Sequence, residues 1–169
     1  MSLIVEDGTG TNPNADSYIS EADAITRATA LGLDFPASDA DAEVPLRRAA
    51  IYLESYRNKY QGIKYVAGQA LQWPRNPVYI DEVLNDPSVI PTELIDAQVV
   101  LASVEFTNGN LFGTALGGMG SRSVGDVSVT SNNGGAIDNS AYSGLANELI
   151  APLLKNPSLG GLEFNVCRA

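Results

Sequence analysis

Between Pro91 and Asn108 the chain is apolar around most of a helix's circumference, and that window limits the fold more than any other. Leu94, Ala97, Leu101 and Val104 recur at helical steps, and Ile95, Val99, Val100 and Phe106 widen the stripe. A helix with so little polar surface is either central to the fold or shared with a neighbouring subunit. Pro91 suits the first helical position, where its missing N–H is no loss, and Asn108-Gly109-Asn110 ends the pattern.

Other windows supply partners for that helix. Ser20 followed by Asp23 is a capping signal; Ala22, Ile25, Ala28 and Leu31 share a face, and Gly32 stops a helix spanning Glu21 to Leu31. A longer helix is expected from Ser38 or Asp39 to Tyr60, with Leu46, Ala49, Ala50, Leu53, Tyr56 and Tyr60 as its buried stripe. Asp39, Asp41 and Glu43 lie at its positive end, and Arg57 and Lys59 at its negative end. Pro45 inside a helix costs about 3 kcal/mol, so the regular helix is expected to start only near Val44, after a looser turn. A last helix is expected from Tyr142 to Leu154, carrying Leu145, Leu149, Leu153 and Leu154. The expected class is mainly α: a small bundle of three to four helices with a long ordered loop and an extended β-hairpin or strand arm. Residues 1–112 read as the helical core, 113–140 as a flexible base and arm, and 141–169 as a C-terminal helix and docking tail.

Three stretches are not helical in pattern. Residues 1–16 read as a short strand, Leu3 to Val5, followed by turns; Gly8 and Gly10 lack the Gly-Lys-Ser/Thr ending of a phosphate loop. Residues 61–90 are punctuated by Gly62, Gly68, Pro74, Pro77 and Pro87, yet hold Tyr65, Trp73 and Tyr79. Ordered loops of that length are usually functional. Pro74 pushes Trp73 into an extended conformation, and Trp73 reads equally as a core plug or as an interface anchor. Val124, Val127 and Val129 alternate as in a strand that needs a partner, and the tail Leu162 to Arg168 reads as an edge strand or docking tail.

Composition excludes several function classes. The chain contains no histidine, which removes the commonest general base and metal ligand and every Ser-His or Cys-His arrangement. Asp81, Glu82 and Asp86 depart from the spacing of a calcium loop. No catalytic, cofactor or metal residue is named, and the chain is expected not to be an enzyme. One cysteine, Cys167, permits no internal disulfide and fits a reducing compartment such as a bacterial cytoplasm. Met1 to Gly10 lacks the pattern of a signal peptide, and no eighteen consecutive apolar residues occur, so no membrane contact is expected. A net charge of −10 repels phosphate, and Arg47, Arg48, Arg57, Lys59 and Lys64 are interleaved with Glu43 and Glu54, as on a solvated, ion-paired surface.

Several blocks carry a resemblance. They are Ile4-Val5-Glu6-Asp7-Gly8-Thr9-Gly10, Asn14-Ala15-Asp16-Ser17-Tyr18-Ile19-Ser20, Arg48-Ala49-Ala50-Ile51-Tyr52-Leu53, Gly68-Gln69-Ala70-Leu71-Gln72-Trp73-Pro74-Arg75 with Val78-Tyr79, and Ile90-Pro91 with Ala97-Gln98. Together they resemble, over roughly Leu3 to Val129, a phage protein family labelled DnaT-like single-stranded DNA-binding. Such proteins look like head-completion or head-tail connector proteins of tailed phages. The resemblance implies a structural virion protein assembled in the host cytoplasm: an adaptor forming a cyclic, dodecameric ring beneath the portal at the neck, meeting the portal protein and the next tail-completion protein. DNA would pass through its lumen without specific binding, and an acidic wall suits that passage. The label itself implies the alternative, a single-stranded DNA-binding module. The candidate protein-interface residues are Trp73, Arg75, Tyr79, Val124, Val127, Val129, Leu149, Leu153, Val166 and Arg168.

Overall fold

The computed structural model describes residues 2–109, 111, 122–124, 127–129 and 140–155. In chain order its elements are α1 (Glu21–Leu31), α2 (Asp39–Glu54), β1 (Ile63–Lys64), β2 (Arg75–Asn76), β3 (Tyr79–Ile80), β4 (Val83–Leu84), α3 (Thr92–Asn108), β5 (Arg122–Val124), β6 (Val127–Val129) and α4 (Ser140–Ile150). A 3-10 turn, Ala151–Leu153, follows α4. The class is mainly helical, as the sequence indicates.

The apolar window forms α3, and α3 is the centre of the molecule. It packs against α2, α4 and α1, and every residue from Ala97 to Glu105 is buried. Leu46 and Leu53 of α2, Ala24 and Ala28 of α1, and Ala146 and Ile150 of α4 join it in one core. Each fully buried leucine there contributes about 1.5–3 kcal/mol relative to exposure. Two ion pairs set the helices against one another: Arg27 Nη2 donates to Asp96 at 2.9 Å from α1 to α3, and Arg48 Nη1 lies 2.8 Å from Glu105 between α2 and α3. Phe106, expected in the stripe, is instead half exposed near the helix end.

α2 corrects the expectation drawn from Pro45. The regular helix starts at Asp39, not near Val44, and carries Pro45 in its interior. Ser38 caps it, with Oγ accepting from the Asp41 amide at 3.3 Å and donating to the Asp41 carboxylate at 2.6 Å. Ala42, Pro45, Leu46 and Ala49 are buried together, so the core holds the turn that lacks an amide. The far end is shorter than expected, because Ser55 Oγ donates to the Tyr52 carbonyl at 2.6 Å and competes with the helical bond. Tight turns then carry the chain to Tyr60, which bridges to Leu154.

Other boundaries shift slightly. Pro91 caps α3 from outside, α4 begins at Ser140 and ends at Ile150, and the strand expected at Leu3 to Val5 is a single parallel bridge between Val5 and Ser17. The segment read as a long ordered loop is braced by two small antiparallel hairpins. β1 pairs with β2, Ile63 opposite Asn76, and β3 pairs with β4, Tyr79 opposite Leu84. Trp73-Pro74 and Asn76-Pro77 are cis peptide bonds. The arm is also a hairpin, β5 with β6, Val124 opposite Val127. The glycine-rich base on either side of it and the tail from Leu162 to Arg168 lie outside the described residues.

Candidate interaction surface

The Gln72-Trp73-Pro74-Arg75 block is locked from below by a chain of hydrogen bonds. Gln98 of α3 accepts from the Tyr18 amide at 3.0 Å and donates to Ser17 Oγ at 2.8 Å and to the Leu46 carbonyl at 3.0 Å. The Tyr18 hydroxyl donates to Glu54 at 2.5 Å and accepts from the Trp73 amide at 3.3 Å, while the Gln72 amide donates to the same Glu54 oxygen at 2.9 Å. Burial pushes the Glu54 carboxyl above its ordinary range, against the opposing pull of the Tyr18 hydroxyl. Burial, reinforced by the Glu54 charge, pushes the Tyr18 phenol well above its own. Of the two readings of Trp73, the structure takes the core plug: the residue is 0% exposed and its ring stands edge-on to Tyr60, centroids 5.6 Å apart.

Arg75 is equally committed inside the protomer. It is 6% exposed, and its guanidinium donates to the carbonyls of Gln61 at 2.6 Å and Gly62 at 2.8 Å while lying over the Tyr60 ring. Burial lowers its pKa from the ordinary arginine value. Gly62 permits this closure: it sits at φ 58, and a Cβ there would lie 2.5 Å from the Pro77 carbonyl oxygen. Beside the Arg75 guanidinium opens a shallow groove of about 380 Å³, lined by Arg57, Asn58, Ile63, Lys64, Gln72 and Arg75, with no carboxylate among its lining. Lys155 reaches the same end, its amide donating to the Lys59 carbonyl at 2.7 Å. The basic residues that the sequence placed together therefore separate. Arg47 pairs with Asp16 at 2.7 Å and Arg48 with Glu105, as on an ion-paired surface, whereas Arg57, Lys59 and Lys64 gather near the groove.

A second surface is apolar. On β3–β4 and the chain after it, Tyr79, Val83, Leu84 and Val89 are all exposed, Val83 at 69%. The turn is made by Asp81 at φ 49 and Glu82 at φ 67, left-handed positions at which Gly and Asn are the usual residues. The Gly8–Gly10 turn is no anion site: both glycine amides donate to the buried Glu6 carboxylate, at 3.1 and 2.9 Å. Among the described residues no group of acids or cysteine could hold a metal ion, and no helix is long and apolar enough to cross a membrane.

The remaining candidate residues scatter. Leu153 is fully buried and Leu149 partly buried against the core. Val124, Val127 and Val129 stand on β5 and β6, and Val166 and Arg168 lie outside the described residues. Sequence reasoning missed the Gln98–Tyr18–Glu54 network, although a glutamine within an apolar stripe, between Leu94 and Leu101, was a signal for it. It missed the groove, because Arg57 and Arg75 are distant in sequence.

No curated protein and no solved structure matches the chain. A family model described as "Putative DnaT-like ssDNA binding protein" matches residues 1–169, and the chain belongs to that family.

Proposed function

We propose that this chain is the head-to-tail adaptor of a tailed phage, a structural virion protein whose copies form a ring beneath the portal and let DNA pass from capsid to tail. One observation carries the reading: exposed large side chains on β3–β4 are apolar, while Arg27, Arg47 and Arg48 face carboxylates of their own protomer. A surface of that kind suits protein partners. A net charge of −10 suits a lumen wall that does not grip phosphate. The partners are further copies of the chain, the portal protein and the next neck or tail-completion protein, and no catalytic role is assigned. The chain's place in the virion is the neck.

A second reading, single-stranded DNA binding, is favoured by the family's description and by the groove of Arg57, Lys64 and Arg75. Electron microscopy of the purified chain, alone and with the portal of its own phage, separates the two when paired with an oligonucleotide titration at low and high salt. Rings seated on the portal with negligible DNA binding are expected. Monomers that ignore the portal and bind oligonucleotide with a strong salt dependence would overturn the adaptor reading.

A further inference from the structure

We propose that the groove lined by Arg57, Lys64 and Arg75 receives the β3–β4 hairpin of a second copy of this chain; this rests on the adaptor reading and names the two faces by which its subunits meet. The groove offers cations and no carboxylate, with Ile63 at its edge 73% exposed. The hairpin offers the complement: Asp81 and Glu82 at the turn, exposed Val83 and Leu84 beside them, and no basic residue from Tyr79 to Val89. Among the described residues neither half has its charge answered by an ion pair at home, Arg57, Lys64 and Arg75 included. No hairpin residue lines the groove of its own chain, and Asp81 and Glu82 form no ion pair among the described residues. Opposite charge steers the encounter and apolar side chains supply the buried contact. Because the two patches differ, the contact is heterologous, the type that a rotation repeats into a ring.

Single-stranded nucleic acid is the competing occupant, and the groove suits it less well. No aromatic side chain lines the groove, so it offers no platform on which bases could stack. Ile63 and the apolar hairpin surface would also remain exposed.

Charge exchange tests the contact in the full chain. One variant carries Asp81→Asn with Glu82→Lys, asparagine being tolerated at a left-handed position; the other carries Arg57→Glu with Lys64→Glu. Thermal melts establish that each is folded, and Arg57→Glu alone serves if the double change is not. Sedimentation over a concentration series should show wild-type self-association that weakens with salt, and roughly tenfold or greater weakening in each variant alone. An equimolar mixture of the two should associate again, because each altered face now meets its opposite. Variants that associate like wild type, a mixture that does not recover, or a wild-type chain that stays monomeric at every concentration would overturn the proposal. So would a groove variant that loses binding to an oligothymidylate while self-associating normally. A closed two-fold dimer sensitive to both variants would retain the contact and remove the ring.

Discussion

Trp73 is the only tryptophan of the chain and has no exposed surface, so its fluorescence reports directly on the packing of the 61–90 segment. Trp73→Ala should lower stability by about 3–5 kcal/mol in denaturant unfolding, the usual cost of emptying a large aromatic site. A loss below about 1 kcal/mol would mean that the indole is not packed as described. The phenols around it make a second test. Burial pushes Tyr18 and Tyr60 well above the ordinary 10.0 and Tyr56 up to about 12. Their folded pKa values are raised, so the neutral forms belong to the fold; that stability is complete below pH 10.0 and falls as pH rises beyond it. Tyrosinate absorbance should therefore rise in two phases with pH, the later one coinciding with loss of helical circular dichroism. A single early phase for all phenols would contradict the burial of Tyr18 and Tyr60.

At the scale of elements, α2 and the hairpins depend on single local devices. Ser38 satisfies the first turn of a helix that carries a proline, and Ser38→Ala should cost about 1 kcal/mol by thermal unfolding. No change in melting would place the helix start elsewhere. Gly62 is less replaceable. Alanine there meets the Pro77 carbonyl and keeps a left-handed backbone, so Gly62→Ala should cost more than about 1 kcal/mol and displace β1–β2. Amide exchange localised to residues 61–77 would record that displacement, and unaltered protection would refute it.

Across the whole molecule, the helical core and the β5–β6 hairpin answer to different demands. A two-stranded hairpin is marginal in water unless it packs or gains a neighbour. On the adaptor reading, deleting Val124 to Val129 should leave the melting of the core nearly unchanged while abolishing assembly of the subunits. Unfolding of the core on deletion would refute the reading of this hairpin as an arm that reaches out from the core for a partner strand. The division of charge belongs to the same scale: acids prevail overall, and a groove rich in cations becomes visible once Arg57, Lys64 and Arg75 are brought together.

The sequence by itself determined α1 and α3 and the mainly helical class, because caps and apolar periodicity act within a few turns of the residues that carry them. Ser20 and Gly32 bound α1 as read, and the stripe of Leu94, Ala97 and Leu101 became the centre of the core. Local rules also produced the misjudgement of α2: they weigh Pro45 against its own helix and not against the core that buries it. Only the tertiary structure decided that Trp73 points inward, that Arg75 closes on Gln61 and Gly62, and that Gln98 reaches Tyr18. Each of these depends on which distant segments share the interior, and periodicity along the chain carries no record of that.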